Sequence, residues 1–234
     1  MNNSIKNAAA ALRAEYPFRV ELHAHTSPAS SCSEIPPAKL PEIYAGLGYS
    51  AVCVTNHLAR GRGDNAEEWL TDYYAAKESG DRLGINVILG VELRFIPSNN
   101  DYLLYGITPE DIPEIVNMLD MNIEEFSRAY RAPNRFLCQA HPYRSGMDPT
   151  DHTLFDGIEV FNAHPNHNSR VAVASQIAHR EGLIFTAGTD FHHPGHEGLA
   201  AVRTRTVPKT SADVAALLKS ADFLLEVGES LILP

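Results

Sequence analysis

His23 and His25 stand two residues apart in R-V-E-L-H-A-H-T, an apolar run that reads as a strand. On a strand, positions i and i+2 point to the same side, so both imidazoles can face one point. Neutral imidazole is a common metal ligand near pH 7. One such pair alone says little, because neighbouring histidines often sit on solvated loops. Four further segments repeat the layout, each an apolar run ending in His, Asp or Glu. They are V-C-V-T-N-H to His57, V-I-L-G-V-E to Glu92, F-L-C-Q-A-H to His141, and I-F-T-A-G-T-D-F-H through Asp190 to His192. Any one of the 11 histidines, taken singly, reads as a capping or satisfied core residue. The recurrence at strand ends is what points to a metal site. Nitrogen and carboxylate donors together suit zinc, manganese or iron better than calcium or magnesium. Seven such residues exceed the needs of one tetrahedral ion. Two or three divalent ions are therefore expected, with Glu92 able to bridge two of them.

The elements that must position these residues alternate between strand and helix. A helix is expected over 4–15 and a strand over 18–22. A loop of turn formers then leads to a helix over 37–47, a strand over 51–55 and a helix over 66–79. Strands follow at 86–92 and 102–107, then short helical segments at 111–119 and 122–131. Further strands are expected at 135–141, 157–161 and 183–187, with a helix at 167–181, and the tail adds a helix at 211–219 and a strand at 222–226. Such alternation predicts parallel pairing through right-handed crossovers. Reactive residues at the C-terminal end of strand after strand are the mark of a (β/α) barrel, since an open sheet gathers its ligands at one switch point. No Gly-, Ser- or Pro-rich linker or internal repeat divides the chain, so one barrel-like domain over 1–234 is expected.

With 44% hydrophobic and 21% charged residues the composition is that of an ordinary globular protein. The formal net charge of −10 argues against general affinity for nucleic acid or anionic membranes. Without a basic stripe, a long nucleic acid has no electrostatic track. No apolar run approaches the ~18 residues of a membrane span, and the N-terminus lacks the pattern of a secretory signal. Cys53 and Cys138 lie in apolar runs, and the three cysteines show no disulfide spacing. A cytoplasmic location is expected.

The ordered set H-A-H-T, V-T-N-H, G-V-E, A-H-P and G-T-D-F-H resembles the PHP (polymerase and histidinol phosphatase) family of metal-dependent phosphoesterases, over about residues 18–227. N-D-Y-L-L-Y-G-I and G-I-E-V-F-N-A-H-P-N-H-N-S-R are similar to a stand-alone bacterial branch of it. The resemblance implies a distorted (β/α)7 barrel of the TIM-like kind, with two or three metals at the strand C-termini. By it, His23, His25, Glu92 and Asp190 hold one ion, Glu92 and His141 share a second, and His57 with His192 hold a third. Three departures stand out. Asn56 replaces an Asp common in the family, which reduces the charge orienting His57. The loop after H-x-H offers only Ser30, Ser31, Cys32, Ser33 and Glu34 where the family often has Asp or His, so the third site is expected to be weak or completed by water, with Cys32 as a soft alternative. Asp101 stands near the place of a second-ion His and is counted as a candidate ligand, beside its reading as an ordinary loop residue.

Close divalent ions activate water and clamp attacking and leaving oxygens, so hydrolysis of a small phosphomonoester or nucleotide is the expected reaction. Cationic side chains should complement phosphate charge. Arg60, Arg144 and Arg170 follow strand-end motifs and Arg94 lies two past Glu92, so one or two of these four are expected on substrate. Asp190, Glu92 and Arg144 are the expected catalytic groups. His164, His167, His193 and His196 crowd the same rim, and one of them could protonate the leaving alkoxide; His164 is the candidate carried forward. Two other readings stay open: an amidohydrolase-type hydrolase on the same scaffold, and a non-catalytic metal-binding or regulatory domain. A strand lysine for a carbamate bridge is missing from the motifs, which disfavours that version of the amidohydrolase.

Overall fold

The computed structural model describes residues 3–233; Met1, Asn2 and Pro234, the ends of the expected 1–234 domain, lie outside them. The fold is α/β with two mixed sheets of six strands each. After helix α1 (Asn3–Glu15) come β1 (Phe18–Ala24), α2 (Lys39–Gly46), β2 (Ala51–Val54), β3 (His57–Ala59), α3 (Ala66–Leu83), β4 (Asn86–Leu89), β5 (Val91–Arg94) and β6 (Asp101–Tyr105). The second half carries α4 (Ile112–Asn117), α5 (Ile123–Tyr130), β7 (Phe136–Gln139), β8 (Gly157–Asn162), α6 (Val171–Glu181), β9 (Ile184–Gly188), β10 (Ala200–Thr204), α7 (Ser211–Ser220), β11 (Leu224–Val227) and β12 (Ser230–Ile232). One sheet runs β12-β11-β10-β1-β2-β4, the other β3-β5-β6-β7-β8-β9.

The helices have local causes. Asn65 caps α3 by accepting the Glu68 N–H, and Gly84 ends it in the left-handed region at φ 75°. Reciprocal Asn122–Glu125 and Thr210–Asp213 boxes start α5 and α7. Helix α6 begins at Val171 rather than 167. The preceding segment is tied back to β8 by the Ser169 hydroxyl on the Asn162 carbonyl (2.6 Å), and Arg170 takes φ 45°.

The parallel expectation holds for β1–β2, β2–β4, β3–β5, β7–β8 and β8–β9 but fails elsewhere. β5–β6 and β6–β7 are antiparallel. Only residues 95–100 join β5 to β6, and a parallel return needs a crossover of roughly a dozen residues or more. β10, not anticipated, runs antiparallel between β1 and β11, reached without a helix. The expected strand at 86–92 is split at Gly90, where a Cβ would come 2.9 Å from Thr55 Cγ2 and 3.0 Å from the Tyr105 ring.

Both sheets share one core. Leu22, Cys53 and Ile88 from the first pack in the same buried cluster as Leu103, Cys138 and Ala187 from the second. Backbone bonds also cross from sheet to sheet at two seams. At one, the Gly90 N–H donates to the Val54 carbonyl (3.0 Å) and the Glu92 N–H to that of Asn56 (3.1 Å). At the other, the Phe191 N–H donates to the His23 carbonyl (3.1 Å) and the His25 N–H to that of Phe191 (3.0 Å). The metal-type side chains therefore sit on backbone fixed by neighbouring strands.

Gly106, just past β6, gives the sharpest backbone test. It takes φ +86°, and a Cβ there would lie 2.1 Å from the Asn134 carbonyl oxygen and 2.8 Å from Arg135 Cα. Gly106→Ala is expected to cost about 2–4 kcal/mol from strain plus overlap. A urea unfolding midpoint unchanged from the parent would contradict this placement.

Candidate metal centre

His23 and His25, both fully buried, leave β1 on the same side with ring centroids 5.0 Å apart. His57 opens β3 directly opposite Glu92 of β5 in the parallel register. His141 and Asp190 follow β7 and β9 with φ of 29° and 54°, a region that side-chain-bearing residues rarely adopt and that often marks functional positions.

Glu92 is the hub. Its Oε1 lies 3.0 Å from His141 Nε2 and 3.4 Å from His23 Nε2, and its Oε2 2.7 Å from His57 Nδ1 and 3.3 Å from His25 Nε2. Asp190 Oδ1 is 3.4 Å from both His23 Nε2 and His25 Nε2, and 3.3 Å from His192 Nδ1. Among the described residues, four sets offer ligand atoms within 4.8 Å of one another: His23/His25/Asp190, His23/Glu92/His141, His25/His57/His192 and His57/Glu92/Asp101. His23 Nε2, His25 Nε2 and Glu92 Oε2 are buried without a hydrogen-bond partner. Buried polar atoms left so are costly unless something coordinates them. Nitrogen lone pairs converging on two carboxylates are the donor set of a zinc-, manganese- or iron-type centre, so the residues fit divalent metal.

The electrostatics agree. Burial works to raise Glu92, but the His57 and His23 imidazoles overcome it and hold the carboxyl well below its usual range. Asp190 is depressed in the same way, burial being outweighed by His23 and His25. Burial lowers His23, yet Glu159, Asp190 and Glu92 carry it well above the ordinary imidazole value. His57, opposed by burial, is raised to about 9, chiefly by Glu92. His25 goes the other way, lowered by burial and by the His192 and His57 charges.

A supporting layer orients these ligands, and most of it was missed in the sequence. Glu159, in the middle of β8, takes His23 Nδ1 at 2.9 Å, the His141 backbone N–H at 3.0 Å and Asn162 Nδ2 at 2.9 Å. Asn162 Nδ2 also reaches Asp190 Oδ2 (3.1 Å). Glu21 accepts the His23 and Thr189 backbone N–H groups (both 2.9 Å) and the hydroxyls of Tyr44 and Thr189. Burial lifts Glu21 to about 7 against those donors. The available signal was a lone acid inside each apolar run, V-E-L and I-E-V, since buried carboxylates require partners. Ser30 Oγ accepts the His57 N–H (2.9 Å) and sits 3.2 Å from His25 Nδ1. Accepting there as well leaves the His25 Nε2 lone pair free. Asn56 does not bear on the His57 ring as expected: it accepts the Thr26 N–H (2.7 Å) and donates to the Thr26 hydroxyl (2.8 Å).

A cavity of about 230 Å³ opens over the centre, lined among others by Arg94, Arg144, His164, His167 and His193. Arg94 grips both oxygens of Asp101 (2.6 and 2.5 Å), and Arg144 reaches the same carboxylate at 3.1 Å. Asp101 stands 3.7 Å from His141 Nε2, so it joins the arginines to the ligand cluster. Arg60 is not brought there: its guanidinium is bound outside the cavity by Asp120 (2.7 and 2.8 Å), and Arg62 lines the cavity instead. Arg170 lines a neighbouring cavity of about 400 Å³, which Arg144 also borders. His164 is pushed down to about 4 by burial, with Asp190 opposing and nearby imidazoles assisting. Its Nδ1 accepts the Asn166 N–H (3.2 Å), which puts the proton of the neutral ring on Nε2. His164 stacks on His167 at 4.1 Å, and His196 lies at the edge, 6.1 Å from the His164 ring. Cys32 lines the cavity too; burial opposes ionisation, but hydrogen bonds with His192 and His57 bring it to about 5.

The PHP domain family model matches residues 21–230, a span that contains every one of these ligand candidates. The chain belongs to the PHP family. Its fold is similar to that of a two-domain protein from Bacteroides vulgatus containing a predicted PHP-like metal-dependent phosphoesterase, at TM-score 0.62 and 15% identity, over 92% of this chain and 66% of that one. The PHP chain thus spans just under two thirds of that protein. It is also similar to PsfC from Pseudomonas syringae (TM-score 0.63, 17% identity, 85% and 88% covered) and to an amidohydrolase from Chromobacterium violaceum (TM-score 0.51, 16% identity, 76% and 89% covered). No curated protein matches the chain. No described helix is long and apolar enough to cross a membrane.

Proposed function

We propose that this PHP protein is a metal-dependent phosphoric ester hydrolase acting on a small phosphomonoester or nucleotide. The observation that carries the reading is Glu92, whose Oε1 meets the His23 and His141 imidazoles and whose Oε2 meets those of His25 and His57. His23, His25, Glu92 and Asp190 would hold one ion, Glu92 and His141 a second with Asp101 beside it, and His57 and His192 a third. When bound, such ions lower the pKa of water and stabilise charge on the phosphoryl oxygens. Zinc, manganese and iron suit these donors. The two seams and the shared core support one distorted (β/α)7 barrel that forms a single domain. The free Cys53 and Cys138, both buried, suit the reducing cytoplasm.

The chain's own groups supply the rest. Arg94 and Arg144, held side by side by Asp101, present guanidinium donors to the phosphate. His164, neutral with its proton on Nε2, donates a hydrogen bond to the leaving oxygen, whose proton comes from solvent, and Arg170 borders the space beyond Arg144 where the leaving group extends. Glu159 keeps the His23 ring in the tautomer whose Nε2 is free to bind. Glu159→Gln is accordingly expected to weaken zinc binding roughly 10–100-fold, read by competition with a chelating dye; unchanged affinity would remove Glu159 from the centre.

Phosphate release from a panel of small phosphoesters, by zinc-, manganese- or iron-loaded protein and by Asp190→Ala, tests the function. Release that vanishes in the variant supports it, and retained turnover in Asp190→Ala sinks it. An amidohydrolase reading has the Chromobacterium violaceum neighbour in its favour. Amide cleavage with no phosphate release would select it.

A further inference from the structure

We propose that Arg62 is a further substrate-binding residue, an anion contact that favours phosphomonoester dianions over phosphodiester monoanions. As a substrate contact Arg62 rests on the phosphoesterase reading above; as an anion contact it is tested apart from that reading.

The turn after β3 is built to hold this side chain. Ala59 and Arg62 exchange both backbone hydrogen bonds (2.9 and 2.8 Å), and the Asp64 carboxylate accepts the Gly61 N–H between them (2.8 Å). Gly63 follows at φ +76°, packed so close that a Cβ would lie 2.7 Å from the His57 carbonyl oxygen and 2.9 Å from Trp69 Cδ1. Trp69 Nε1 donates to that same carbonyl at 2.9 Å. The backbone under Arg62 is thus locked to the strand that opens with His57. From this turn Arg60 leaves toward Asp120, whereas Arg62 lines the cavity over the centre.

Inside the cavity Arg62 differs from the other two arginines. Arg94 and Arg144 share the Asp101 carboxylate, which offsets one of their two charges. Arg62 has no carboxylate partner among the described residues. Its Nη2 rests on the Cys32 sulfur at 2.9 Å, which leaves the other N–H groups of the guanidinium open. Asp190, itself a ligand candidate, is the only acidic side chain that lines the cavity among the described residues. In a chain of net charge −10, a space walled by three guanidinium groups and one acid suits an anion.

The charge count points to the class of anion. Among the chain's own cations, the Arg94–Asp101–Arg144 group carries one net positive charge, and Arg62 adds a second from the β3 side. A phosphomonoester is close to a dianion at neutral pH. A diester has one charged oxygen fewer, so the added guanidinium has less to bind. The fixed turn also lowers the ordering cost of using that arginine.

The test uses the zinc-loaded full chain and two probes whose C–P bond resists hydrolysis. They are methylphosphonate, at a pH where it is a dianion, and its monomethyl ester, a monoanion. By titration calorimetry, Arg62→Met should bind methylphosphonate roughly tenfold more weakly than the parent and the ester less than about threefold more weakly. Arg62→Lys should recover part of the loss, and zinc content should stay at the parent level in both variants. Arg60→Met, outside the cavity, should leave both affinities unchanged. On p-nitrophenyl phosphate, kcat/KM of Arg62→Met should fall about 30-fold, mostly through KM. Equal methylphosphonate affinity in Arg62→Met and the parent overturns the proposal, as does a parent that binds neither probe. Equal losses for the two probes overturn the monoester preference, and zinc lost together with the probe would make Arg62 a support of the His57 strand instead. Arg62-dependent methylphosphonate binding in a protein that hydrolyses no phosphoester keeps the anion contact and rejects the phosphoesterase reading alone.

Discussion

Replacing Glu92 by Gln is expected to lower phosphoester hydrolysis by roughly 10³-fold or more and to strip at least one ion from the protein. The substitution preserves shape while removing the charge that faces four imidazoles at 2.7–3.4 Å. It also turns an amide N–H donor toward the imidazole lone pairs and so occupies the atoms that would bind an ion. No other side chain meets both the His23/His25 and the His57/His141 groups with its two oxygens among the described residues, so nothing nearby takes over. The loss should appear in kcat and in metal content together. The metal-free protein offers a separate check through pH. Because the folded Glu92 carboxyl is held far below the ordinary value of 4.5, it stabilises the fold above that value and the contribution fades only as pH falls toward the depressed one. The stability gap between metal-free wild type and Glu92→Gln should close in strong acid. A variant with full metal and near wild-type turnover would remove Glu92 from the hub.

Arg144→Met comes second, with an expected fall in kcat/KM of about 10²-fold. Arg144 borders both cavities and shares Asp101 with Arg94, so it can touch the phosphate and the start of the leaving group at once. Arg144→Lys should recover only part of the loss, because a point ammonium cannot keep a contact to Asp101 and a fork on phosphate in one geometry. Metal content should stay at the wild-type level in both variants. Unchanged kcat/KM in Arg144→Met would mean that the guanidinium serves only the Asp101 contact.

The ligand candidates were legible in the sequence because each closes an apolar run. Strand periodicity fixes the side on which a residue emerges, and the end of a strand fixes where. His23, His25, His57, Glu92, His141, Asp190 and His192 meet for that local reason. What stayed hidden depends on partners far along the chain. Glu159 looks like any strand glutamate until His23, 136 positions away, is seen on its oxygen. Arg60 and Arg62 are equivalent by spacing. A tight turn decides between them: Ala59 and Arg62 pair backbone to backbone, and Gly61 at φ +75° reverses the chain, so Arg60 faces Asp120 and Arg62 returns to Cys32. The antiparallel direction of β6, expected as a strand at 102–107, and the whole of β10 escaped because alternation predicts crossovers, whereas connection length decides direction.

The decisive measurement is anomalous X-ray diffraction from crystals of the full chain loaded with zinc, with data collected on either side of the zinc absorption edge. Anomalous peaks on both sides of the Glu92 carboxylate, one against His23, His25 and Asp190 and one against His141, are the expected result. A single peak remote from Glu92, or none in protein shown to be active, would contradict the metal centre as built here.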